Sequence, residues 1–134
     1  MRKLLIISMM FFIGIATSKA QNASLSAPGG VPAFHWLSDS TITVGKVPVN
    51  KPVTVTFEFI NNGKAPLVIS SVQPSCGCTA VDYSKGPVAP NQKGFITATY
   101  NAASVGVFNK TVTVFSNTPD IRKILNIKGE VVSK

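Results

Sequence analysis

The sequence predicts an all-β protein, an immunoglobulin-like antiparallel β-sandwich of about seven strands. Short runs alternate apolar and polar residues with a period of two, and no stretch carries the 3.6-residue period of a helix. Thr, Val, Ile and Phe dominate those runs, as half-buried pleated surfaces favour, and Gly, Pro and Asn cluster between them. Strands at this spacing, with no helices to make parallel crossovers, pack as two antiparallel sheets face to face.

The first twenty residues stand apart. "MRK" is a short basic start, "LLIISMMFFIGIAT" is an apolar run of about fourteen residues, and Ser18 and Ala20 place small side chains before a cut. This is the layout of a secretory signal peptide, and the run is short of the roughly 20 residues a membrane span needs. The expected division is therefore a signal peptide over 1–20, a flexible leader over 21–32 and one β-sandwich domain over 33–134, with no transmembrane segment after cleavage. The leader "QNASLSAPGGVP" is too small and polar to bury a core of its own. Residues 21–134 hold ten Lys or Arg against five Asp or Glu, a net +5. The basic residues are scattered and do not alternate with aromatics along one face. That disfavours nucleic acid and fits solubility and weak attraction to acidic surface polymers.

Along the domain, "AFHWL" (33–37) and "TITVGKV" (41–47) are the weaker opening strands. "VTVTFEFI" (53–60) has the clearest alternation, with Val53, Val55, Phe57 and Phe59 opposite Thr54, Thr56 and Glu58. "LVISSV" (67–72) follows the turn formers Asn61, Asn62, Gly63 and Pro66, and "GFITATY" (94–100) follows the loop "GPVAPNQKG". In "FNKTVTVFS" (108–116) Lys110 interrupts an otherwise apolar face, which places the beginning of that strand near a sheet edge. "ILNIKGEVV" (124–132) closes the domain, with Leu125, Ile127, Gly129 and Val131 on one face.

Both cysteines of the chain fall in "QPSCGCTAV" (73–81). Cys76 and Cys78 can pair if the backbone bends at Gly77, although the entropic gain from a three-residue loop is only about 1.6 kcal/mol. Such a bond would not serve chiefly to hold the fold together. Structural zinc needs four ligands, and residues 21–134 offer two thiols and one histidine, His35, with no spacing that ties it to them. Cuprous copper, which favours soft thiolates, is the speculative metal for Cys76 and Cys78. A tight structural turn between strands, supported by Pro74 and Gly77, is the plainer reading. Neither the five carboxylates nor His35 falls in an acid–base or nucleophile pattern, so no catalytic residue and no cofactor is expected.

Phe57, Phe59, Asn61, Gly63, Pro66, Leu67 and Ile69, followed by Ser75, Cys76, Gly77, Cys78 and Thr79, form a combined pattern. It resembles the bacterial family catalogued as domain of unknown function 1573. Pro87, Pro90, Gly94 and Ile96 fit a later part of that pattern, with Asn91 where glycine is usual. Asn tolerates a left-handed backbone better than most residues. The likeness runs over nearly all of residues 41–132 and implies an exported immunoglobulin-like domain, without supplying a reaction. The expected role is non-catalytic, binding or structural, in the bacterial envelope. An envelope protein or surface polymer is the expected partner, and the location periplasmic or secreted. The alternative is a thiol–disulfide or copper-handling protein built on Cys76 and Cys78, with Pro74, Ser75, Gly77 and Thr79 as motif support.

Overall fold

Alternation builds the longest strands as expected. In Val53–Asn61 the side chains of Val55, Phe57 and Phe59 are buried while Thr54, Thr56 and Glu58 are exposed. The computed structural model describes residues 29–134, so the expected signal peptide and most of the leader lie outside the described residues. The strands are β1 (Phe34–Trp36), β2 (Thr41–Pro48), β3 (Val53–Asn61), β4 (Ile69–Pro74), β5 (Thr79–Tyr83), β6 (Lys93–Tyr100), β7 (Gly106–Ser116) and β8 (Arg122–Val132). They form two four-stranded sheets, one ordered β1-β3-β6-β5 and the other β2-β8-β7-β4. The inward faces meet in one core that includes Phe57, Phe59, Leu67, Ile96, Val112, Val114, Leu125 and Ile127, all fully buried.

Eight strands replace the expected seven, because "TAVDY" is β5. It turns Thr79, Val81 and Tyr83 inward against β6, and a buried threonine at its head hides the apolar period. One pairing departs from the antiparallel expectation. β2 lies parallel to β8, with Thr41 opposite Asn126 and Val47 opposite Val131. The chain moves from the first sheet to the second between Trp36 and Thr41 without reversing direction. β2 therefore continues the course of β1 and enters the second sheet alongside β8.

Lys110 sits where the sequence places it, at a local edge. β4 pairs with β7 only from Val112 to Ser116, so the first half of β7 has β8 on one side and no strand on the other. Val31 and Pro32, at the end of the expected leader, lie against the domain. The Val31 carbonyl accepts a hydrogen bond from Lys64 N (3.1 Å), and Pro32 is buried.

One end of the sandwich is organised by Asn61, a polar side chain with no exposed surface. Its Nδ2 donates to the carbonyls of Ala65 (2.8 Å) and Val88 (2.8 Å), and its Oδ1 accepts from Gly63 N (3.0 Å) and Ala33 N (3.3 Å). Its backbone carbonyl accepts from Asn91 N (2.7 Å), and Asn91 has the left-handed backbone expected of it, with φ of 64°. Gly63 must be glycine, since a Cβ there would lie 2.6 Å from the Pro32 Cα.

Two substitutions test this account by denaturant unfolding. Phe57→Ala is expected to lose about 4 kcal/mol through the cavity it leaves, whereas Thr56→Ala, one residue away on the exposed face, stays within about 0.5 kcal/mol. Asn61→Ala strands several buried backbone groups and is expected to cost about 3 kcal/mol.

Candidate functional site

The Cys-Gly-Cys motif occupies the connection between β4 and β5, which is also where the chain crosses from the second sheet to the first. Each flank is tied to a different sheet. On one side Ser75 N donates to the Thr111 carbonyl (2.8 Å) and Ser75 Oγ accepts from Thr111 N (3.2 Å), which prolongs the β4–β7 ladder past Pro74. On the other side the Cys78 carbonyl accepts from Asn101 N (3.0 Å), just beyond β6, and Thr79 pairs with Tyr100. Between these anchors the chain turns, with Thr79 N donating to the Cys76 carbonyl (3.4 Å).

Cys76 and Cys78 are joined by a disulfide across Cα atoms 5.2 Å apart. Both residues are partly exposed, but only Cys78 packs against the core. Thr79 is 3% exposed, and its Oγ1 lies 3.9 Å from Cys76 Sγ and 4.0 Å from Cys78 Sγ. Gly77 is exposed and makes no use of the left-handed conformations open to glycine. A Cβ built on it would meet nothing within 4 Å. The bend therefore does not require glycine at this position.

A second crossing lies beside the first. Residues 101–105 carry the chain from β6 to β7, the strands that border β5 and β4. Val105 is 61% exposed and Val107 is 86% exposed at the start of β7. The Tyr100 and Phe108 rings meet there at a tilt, centroids 4.5 Å apart, and the Lys110 ammonium stands 5.3 Å from the Tyr100 ring. The alternation in the sequence begins at Phe108, so both valines fall outside the expected strand.

The remaining titratable groups do not converge. His35 is exposed on β1 opposite Ile60, at the far end of the first sheet from Thr79 and Tyr100. Asp82 forms an exposed ion pair with Lys85 (3.3 Å). Among the described residues no three His, Cys, Asp or Glu side chains gather closely enough to hold a metal ion. No described helix is long and apolar enough to cross a membrane. At the Asn61 end, an open groove of about 340 Å³ runs between β1 and the β7–β8 turn, lined by Pro32, Phe34, Trp36, Pro119 and Lys123 among others.

The match to a family model, "Protein of unknown function (DUF1573)", spans residues 36–131. The chain belongs to the DUF1573 family. Its fold is similar to a protein of unknown function from Porphyromonas gingivalis W83, with a TM-score of 0.65 and 15% identity over 83% of this chain. The chain spans about half of that protein, 51% of its length. It is also similar to the ASH / PapD-like domain 7 of human CEP192, with a TM-score of 0.61 and 11% identity over 78% of this chain and 88% of that domain. A third likeness, to the Vibrio cholerae VesB protease, has a TM-score of 0.62 and 13% identity over 73% of this chain but only 32% of the protease. At these identities the likeness is one of fold. No curated protein sequence gives a significant match.

Because the bridge closes only a three-residue loop, Cys76→Ser/Cys78→Ser is expected to lose no more than about 1.6 kcal/mol in urea unfolding, with the denaturant slope unchanged.

Proposed function

We propose that this DUF1573 protein is an exported domain, periplasmic or secreted, that works by binding another component of the bacterial envelope without catalysing a reaction. The carrying observation is the pair of neighbouring crossings at one end of the sandwich, where Val105 and Val107 stand exposed beside the disulfide tip. Loops held by a rigid sandwich are the usual place for recognition, and adjacent exposed apolar side chains mark a contact surface. The scattered carboxylates and the isolated His35 support a non-catalytic role. An envelope protein is the partner this surface fits best, and the net positive charge adds attraction toward acidic polymers.

A second reading, thiol–disulfide or copper handling at Cys76 and Cys78, draws support in its redox half from the bridge's place at an open tip.

Affinity capture from envelope extract tests the binding reading. The wild-type domain is expected to retain a discrete protein that Val105→Asp/Val107→Asp loses, with both proteins giving the same β-type circular dichroism spectrum. Capture unaffected by the aspartates removes this surface from the account.

A further inference from the structure

The Cys76–Cys78 bridge has properties that a staple does not need. It closes too small a loop to constrain the unfolded chain much. The residue between the sulfurs is a glycine that neither its backbone conformation nor any more distant residue requires, so no other part of the chain covers it. The bridge is also asymmetric. Cys78 is held from behind, by its packing on the core and by the hydrogen bond from Asn101 N, while Cys76 lies outside that packing.

Thr79 adds an independent observation. It is 3% exposed, and the partners of its hydroxyl among the described residues are the two sulfurs, at 3.9 and 4.0 Å. A buried hydroxyl normally finds an oxygen or nitrogen partner. Neutral disulfide sulfurs are weak acceptors, whereas a thiolate in the same place would take a charge-assisted hydrogen bond. The hydroxyl is thus better matched to the opened bridge than to the closed one.

We propose that Cys76–Cys78 is a thiol–disulfide exchange site for a dithiol partner, in which Cys76 is the sulfur attacked and Thr79 stabilises the departing Cys78 thiolate. The proposal rests on the redox half of the second reading above and not on the binding surface formed by Val105 and Val107. A thiolate of the partner attacks Cys76 Sγ in line with the bond, from the side away from Cys78 Sγ. A partner–Cys76 disulfide forms as the Cys76–Cys78 bond breaks, and the electron pair leaves on Cys78 Sγ. The Thr79 hydroxyl donates to that thiolate, which then takes a proton from water. The partner's second thiol loses its proton to water and attacks the partner sulfur of the mixed disulfide, and the electron pair leaves on Cys76 Sγ, which is protonated in turn. The partner dithiol is oxidised to a disulfide, and this protein is reduced by two electrons to two thiols. The reverse sequence oxidises a partner.

The test uses dithiothreitol as the dithiol, with alkylation and mass measurement to count thiols and circular dichroism to follow the fold. The folded wild type is expected to open its bridge with its β spectrum unchanged. Thr79→Val is expected to slow opening about tenfold, the worth of one hydrogen bond to a charged group, and Thr79→Ser to restore it. Ultraviolet titration of the Cys78 thiolate in the Cys76→Ser background is expected to show a higher pKa when valine replaces Thr79. Cys76 in Cys78→Ser is expected to react with an aryl disulfide reagent at least about tenfold faster than Cys78 in Cys76→Ser, reflecting its place outside the core packing. If the valine variant loses its β spectrum, Thr79→Ala takes its place in both measurements. A bridge that opens only on unfolding overturns the proposal. So does an unchanged opening rate and Cys78 pKa without the hydroxyl, or equal reactivity of the two single thiols.

Discussion

The sandwich closes at one end around a single carboxamide. A buried amide is costly unless its donors and acceptors are all engaged, and Asn61 engages two of each. Its partners come from three separate parts of the chain: the approach to β1, the turn after β3, and the loop before β6. With its backbone also receiving Asn91 N, the residue fixes how those segments lie on one another. Its bond to Ala33 N ties down the approach to β1, where Phe34 meets Phe59 edge-on and Trp36 meets it at a tilt. The two sheets hold together by apolar burial, and at this end that polar node holds the flanking loops on one another.

The opposite end is built on another logic. There two crossings between the sheets run side by side, the first tied to β7 by Ser75 N on the Thr111 carbonyl and to the second by Asn101 N on the Cys78 carbonyl. The disulfide tip is therefore held by rigid neighbours on both flanks and is free only at its apex. An arrangement of this kind presents a small reactive or recognitive group at a fixed position without asking it to contribute much to stability. The binding proposed for the exposed valines and the chemistry proposed for the sulfurs rest on separate groups.

Much of this fold was legible from residue patterns, and the exceptions have physical causes. The rows Val53–Phe59 and Leu125–Val131 are long and strictly alternating, so their inward faces could be named outright. Asn91 could be read because few residues accept a left-handed backbone. β5 was missed because its buried face begins with a threonine, whose hydroxyl serves the sulfurs rather than the core. Asn61 read as a turn former, since sequence does not reveal when a polar side chain has all its partners inside. The parallel β2–β8 pair was out of reach because it depends on a change of sheet without a change of direction. At the candidate site the motif was visible as a bend. The asymmetry of the two sulfurs, the unneeded glycine and the neighbouring valines emerge only when the second crossing is brought beside the first.

The parallel placement of β2 and β8 also decides where the domain sits along its own chain. Val31 enters beside the Asn61 node, and Val132 leaves at the disulfide end, so entry and exit lie at opposite poles. A tether pulling on both would draw β2 and β8 lengthwise past each other. The hydrogen bonds between them, which run across the strands, would then share the load in shear rather than opening one by one.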